Sequence, residues 1–146
     1  MRIAVVSFAF LLAAHAQAGD GTFEVVAAGA AGGVGTPVLA KVTIKAKQGW
    51  HLNHEAPLTL KLSPVPGVTF DKAKLVRKDL AFASETEARF DVGLTLSAPG
   101  KKEVEAEAGF VLCREDACRP IKEKLILAAE ATAEKATPAK KPGKKR

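Results

Sequence analysis

The chain has 146 residues, 47% of them hydrophobic, which suits one domain with its own core. Its 22 Lys and Arg against 16 Asp and Glu give a formal net charge of +6, but residues 129–146 alone hold six basic residues against two glutamates. The rest of the chain is nearly balanced in charge, and the basic segment has no aromatic residue to stack on bases. Composition therefore argues against nucleic acid as a partner.

The N-terminal segment has the pattern of an export signal. Arg2 is followed by an apolar run at 3–14 and by the small residues Ala16 and Ala18, as in cleaved signal peptides. The run is shorter than the roughly 20 apolar residues of a membrane span, which disfavours the alternative of a membrane anchor. The sequence predicts a signal peptide at 1–18, a mature chain from Gly19, and a periplasmic or secreted location.

The middle of the chain alternates between apolar and polar residues, as half-buried strands do. Turn signals rich in Gly and Pro separate the alternating stretches, at 29–35, 48–49, 64–67 and 98–101. The strands are predicted at 23–27, 38–47, 58–63, 68–76, 90–97, 103–110 and 121–127. About seven short strands without a helical stretch predict an all-β fold, an immunoglobulin-like antiparallel β-sandwich over residues 19–128.

The C-terminal segment, residues 129–146, is rich in Ala, Lys and Pro and has no large apolar residue. Such a composition cannot bury a core, so the segment is predicted to be a disordered tail. Two interpretations stay open for it: a solvated end, or a polybasic segment that contacts anionic polymers of the cell envelope.

The only two cysteines, Cys113 and Cys118, are separated by four residues in a predicted turn between two strands. An exported chain meets oxidants, so the pair is expected to form a disulfide. In the chain-entropy model, a disulfide that closes a six-residue loop raises the free energy of unfolding by only about 2 kcal/mol. Exchange chemistry therefore explains the pair as well as a structural role does.

One family resembles this chain over roughly residues 36–128. The matching stretches are Gln-Gly-Trp-His-Leu-Asn at 48–53, followed by a Leu-rich strand and a Pro-Gly turn, and the Cys-x4-Cys-x-Pro segment that begins at Cys113 after an apolar strand. These stretches resemble the N-terminal periplasmic domain of the thiol:disulfide interchange protein DsbD, the disulfide bond corrector domain. That family has an immunoglobulin-like fold.

The resemblance implies a role in electron transfer. Cys113 and Cys118 would be the redox pair, taking electrons from a thioredoxin-like protein and passing them to exported acceptor proteins. Phe82 would be the aromatic residue of a loop that caps the pair. Residues 1–146 include neither the transmembrane nor the thioredoxin domain of DsbD, so the electron donor would be a separate protein.

Other chemistry has less support. His51 and His54 together with the two cysteines suggest a zinc site, but oxidation would remove the thiols, so neither a metal nor another cofactor is expected. The main hypothesis is thiol–disulfide exchange, which as an enzyme activity would be that of a protein-disulfide reductase component. The alternatives are a non-catalytic immunoglobulin-like binding module with a structural hairpin disulfide, and an envelope-associated protein that acts through its basic tail.

Overall fold

The computed structural model describes residues 15–133, which form twelve strands and one 3-10 turn, Arg77–Asp79. Polar and apolar residues alternate along most strands, so each has one face for the core and one for solvent. The strands are β1 His15–Asp20, β2 Phe23–Ala28, β3 Ala30–Gly33, β4 Val38–Ala46, β5 His51–Leu52, β6 Thr59–Leu62, β7 Val68–Phe70, β8 Lys74–Val76, β9 Leu80–Ala83, β10 Glu87–Leu96, β11 Gly100–Arg114 and β12 Ala117–Thr132.

The strands form two six-stranded sheets. Sheet 1 has the order β1-β2-β4-β10-β7, with β9 also paired to β10, and sheet 2 has the order β3-β12-β11-β6-β8, with β5 also paired to β11. All pairs are antiparallel except β3 with β12. The orders β2-β4-β10-β7 and β12-β11-β6 correspond to the ABED and GFC sheets of immunoglobulin domains. The predicted immunoglobulin-like sandwich is confirmed.

The core between the sheets is entirely apolar. Along β10 every second residue is buried, and Phe90, Val92 and Leu94 have no exposed surface. No polar or charged side chain is buried within residues 15–133. Each fully buried large side chain contributes about 1.5–3 kcal/mol relative to an exposed one, so apolar packing between the sheets holds the fold together.

Most predicted strands are present, but the stretch 29–35, predicted to be a turn, contains β3. Its sequence, Ala-Ala-Gly-Gly, has low strand propensity. The small residues allow close packing, because a Cβ on Gly32 would lie 2.5 Å from Cγ1 of Val38. Parallel pairing with β12, at Ala30 opposite Ala129, supplies the hydrogen bonds that make this segment a strand.

The predicted boundary of the domain at residue 128 is wrong by four residues. β12 continues to Thr132, and Ala129 and Ala131 are 1% and 5% exposed. These alanines alternate with Glu130 and pair with β3 on one side and β11 on the other, so they complete the core despite their small size. The remainder of the predicted tail, residues 134–146, lies outside the described residues.

The predicted signal peptide lies only partly within the described residues, since residues 1–14 fall outside them. His15–Asp20 forms β1 and pairs with β2 along its whole length, so the predicted cleavage point after Ala18 falls inside a strand. Between residues 15 and 133 no helix is long and apolar enough to cross a membrane.

Candidate functional site at the cysteine hairpin

The two cysteines lie opposite each other near the tip of the hairpin formed by β11 and β12. These strands pair along all 15 residues of β11, from Gly100 opposite Ala131 to Arg114 opposite Ala117, and Glu115 and Asp116 form the turn. Cys113 and Cys118 are adjacent to the last pair, with their Cα atoms 4.0 Å apart, and are joined by a disulfide. The hairpin and the disulfide expected from the sequence are therefore present.

The two halves of the disulfide differ in exposure. Cys113 is 6% exposed, since its strand is flanked by β12 on one side and β5 on the other, where His51 lies opposite it. Cys118 is exposed, because β12 pairs with β3 only from Ala129 onward and is an edge strand at this point. A reagent in solution therefore meets the Cys118 side of the disulfide first.

A turn at residues 53–56 lies against Cys113. The side-chain amide nitrogen Nδ2 of Asn53 donates to Sγ of Cys113 at 3.5 Å. Its Oδ1 accepts hydrogen bonds from the backbone N–H groups of Glu55 (2.9 Å) and Ala56 (3.2 Å), which closes an Asx turn. Asn53 was not among the predicted site residues, although an Asn in a polar stretch before a proline indicates a turn.

Trp50 packs against the hairpin next to the disulfide. It is 9% exposed and follows a tight turn in which Gln48 and Gly49 have φ angles of 51° and 80°, a conformation that suits glycine. The guanidinium carbons of Arg114 and Arg119 lie 4.9 and 5.7 Å from the centroid of its ring. Trp50 thus contacts both strands of the hairpin, one on each side of the disulfide.

The two arginines are also paired with carboxylates. Arg114 Nε lies 3.0 Å from Oδ1 of Asp116, and Arg119 Nη2 lies 3.1 Å from Oδ2 of Asp20. All four side chains are largely exposed, so each pair contributes little to stability. Asp20 ends β1 of sheet 1, so its pair with Arg119 joins the two sheets at this end of the sandwich.

The local hydrogen bonds around Asp20 lower the pKa of its carboxyl group to about 2. The largest cause is the Thr22 hydroxyl, which donates to Oδ1 at 2.6 Å, followed by the Thr22 backbone N–H at 2.7 Å and then Arg119. These donors favour the ionised form.

The lowered pKa of Asp20 predicts a change in acid stability. Because its folded-state value lies below the ordinary value of 3.8, the stabilisation is present above pH 3.8 and is lost as the pH falls through about 2. In Asp20→Asn, the melting temperature should fall less steeply between about pH 4 and 2 than in the parent. Thr22→Val, which removes one of the donors, should give an intermediate slope. Equal slopes in parent and Asp20→Asn, measured by circular dichroism, would contradict this assignment.

Phe82, the candidate cap, lies in β9 of sheet 1, opposite Arg89 of β10, whereas the cysteines belong to sheet 2. It is 45% exposed. Its role as a cap stays a prediction. The side chain that the structure places on the Cys113 sulfur is Asn53.

His51 and His54 do not gather a set of ligands with the cysteines. His51 lies opposite Cys113, but both sulfurs are in the disulfide, and no group of three or more His, Cys, Asp or Glu suited to a metal occurs in the described part of the chain. A cavity of about 240 Å³ lies away from the hairpin, against β4, β8 and β10. It is lined by Leu39, Asp71, Lys72, Leu75, Asp79, Asp91 and Gly93.

Comparisons with known proteins give no family. No protein-family model and no curated protein matches the chain. Among solved structures, WR4, a member of the MSP family from C. elegans, is 8% identical, with a TM-score of 0.37 over 70% of this chain and 91% of its own. AggA, the major subunit of aggregative adherence fimbriae type I from Escherichia coli, is 11% identical, with a TM-score of 0.39 over 75% of this chain and 95% of its own. Likenesses this low support no conclusion about function.

Proposed function

We propose that this protein is an exported, non-catalytic immunoglobulin-like binding module in which the Cys113–Cys118 disulfide ties the tip of the β11–β12 hairpin. The observation that carries the proposal is the position of the disulfide. It joins two directly opposed residues, one pair away from a two-residue turn, in a ladder that runs unbroken through the hairpin. A covalent bond at this point closes the short loop of residues 113–118 and fixes the shape of the exposed hairpin tip.

The surroundings of the hairpin support a surface for binding rather than a reaction centre. Residues 114–119 are all exposed, and they include both positively and negatively charged side chains. The described cavity is not at the hairpin. Immunoglobulin-like domains commonly present loops at the ends of the sandwich for recognition, and here the disulfide and Trp50 fix the shape of such a loop.

A second candidate function is thiol–disulfide exchange, favoured by the exposed position of Cys118 on an edge strand. In that function, a thiolate of a thioredoxin-like protein attacks Sγ of Cys118. The S–S bond breaks, its electron pair goes to Sγ of Cys113, and a mixed disulfide forms at Cys118. A second thiolate of the donor resolves it, and the reduced pair then passes its electrons to an exported disulfide-containing acceptor.

The reduction potential of the disulfide separates the two functions. For a structural disulfide we expect a value below about −300 mV. The mature protein would be equilibrated in defined thiol buffers, after which free thiols would be trapped with an alkylating reagent and counted by mass. A potential above about −250 mV would overturn the structural role and favour exchange.

The Cys113→Ser/Cys118→Ser double variant provides the companion measurement. It should stay folded and lose about 2 kcal/mol of unfolding free energy, the value expected for a loop of this size. Urea unfolding of the parent under oxidising and under reducing conditions gives the matched control, because the reduced parent should resemble the variant. A variant as stable as the oxidised parent would show that the disulfide does not hold the hairpin.

A further inference from the structure

Asn53 is held so that only one end of its side-chain amide can face the disulfide. Its Oδ1 accepts two backbone N–H groups, from Glu55 and Ala56, and its own backbone N–H donates to the carbonyl oxygen of Val111 at 2.9 Å. An amide oxygen that already accepts two donors fixes the orientation of the group, so Nδ2 carries its hydrogens toward Sγ of Cys113.

Arg77 fixes the same turn from the opposite side. Its Nη2 donates to the carbonyl oxygens of Asn53 at 2.7 Å and Ala56 at 2.6 Å. Arg77 begins the 3-10 turn after β8, an edge strand of sheet 2. The turn at 53–56 is thus attached to β11 at one end and to the 3-10 turn by charge-assisted hydrogen bonds, which are stronger than those between neutral groups.

We propose that Asn53 sets the chemistry of the disulfide by stabilising Cys113 as a thiolate. When an external thiolate attacks Sγ of Cys118, negative charge appears on Sγ of Cys113, and a hydrogen bond to a charged sulfur is stronger than one to a neutral sulfur. The Asn53 amide therefore assists the departure of Cys113 and lowers the pKa of its thiol in the reduced protein. This inference deepens the second candidate function and rests on it for biological meaning, but its chemistry is testable with a small thiol alone.

Other ionisable groups near Cys113 must be separated from this effect. His51 lies opposite it on β5, Glu55 lies in the covering turn, and Arg77 lies behind that turn. In the hairpin, Arg114 and Arg119 follow the two cysteines directly, and Glu115 and Asp116 form the turn. A protonated His51 would also favour a thiolate. His51→Gln removes this contribution and serves as the matched control.

The test compares Asn53→Asp and Asn53→Ala with the parent. Aspartate keeps an acceptor for the Glu55 and Ala56 amides but replaces the donor at the sulfur with a negative charge, whereas alanine removes both. Reduction by dithiothreitol at pH 8 should be at least about threefold slower in Asn53→Ala and about tenfold slower in Asn53→Asp. His51→Gln should stay within about twofold of the parent.

A second readout distinguishes the sulfur chemistry from a loosened turn. In the Cys118→Ser background, the pKa of the Cys113 thiol, followed by thiolate absorbance, should rise in Asn53→Asp. A looser turn would instead speed reduction by exposing the sulfur. Reduction rates and a thiol pKa equal to those of the parent in both variants, or faster reduction in Asn53→Asp, would overturn the proposal. A reduction potential below about −300 mV with slower reduction in Asn53→Asp would leave the proposal standing and remove only the exchange function.

Discussion

Replacing Trp50 with alanine is expected to lower the free energy of unfolding by about 3–5 kcal/mol, the usual range for a buried tryptophan. The ring is 9% exposed and lies beneath both arginines that flank the disulfide. Each cation–π contact is worth about 0.5–1 kcal/mol at an exposed site. Loss of buried apolar surface therefore accounts for most of the effect.

Urea unfolding monitored by circular dichroism measures the change at Trp50. Trp50→Phe is the matched control, because it keeps an aromatic face for Arg114 and Arg119 while removing part of the buried area. It should lose clearly less than Trp50→Ala. A loss below about 1 kcal/mol in Trp50→Ala would mean that the ring does not support the hairpin.

The second large effect is expected at Phe110 of β11, whose side chain packs between the two sheets. Its ring meets that of Phe23 in sheet 1 edge to face, with centroids 5.4 Å apart and an angle of 78° between the ring planes. Both rings are buried, at 2% and 3% exposure. Phe110→Ala should lower the free energy of unfolding by about 3–5 kcal/mol through lost burial and the cavity left behind.

A double-mutant cycle with Phe23→Ala separates the aromatic contact from burial. We expect a coupling of about 0.5–1.5 kcal/mol between the two positions. Phe110→Leu, which keeps most of the volume, should retain more stability but lose the aromatic coupling. Additive effects of the two alanine substitutions would show that the rings pack independently.

The sandwich was predictable because its strands carry their own burial pattern. In β4 and β10 the apolar positions recur at every second residue, and one-sided burial of a strand requires that period. β3 and the end of β12 were not predictable in this way. Their residues are Ala and Gly, which carry almost no local strand preference, and they become strands only by pairing across the chain.

Of the candidate site, only the disulfide could be predicted from the sequence. Cys113 and Cys118 in a predicted hairpin indicated a disulfide, whereas the groups around it come from distant positions. Asn53 reaches Cys113 because β5 pairs with β11, and Asp20 reaches Arg119 because β1 ends beside β12. Contacts of this kind depend on the strand topology, so the spacing of residues within one segment does not predict them.

The arrangement of sheet 2 has a consequence for the order in which the chain folds. The β11–β12 hairpin is local, so its tip can pair, and its cysteines can oxidise, as soon as residues 111–120 are together. The β3–β12 pair joins regions near the two ends of the described chain, and closing so long a loop is slow. Residues 129–132 of β12 are therefore expected to stay unpaired on the β3 side until late in folding, whereas the opposite end of the same strand is already joined to β11 by the disulfide.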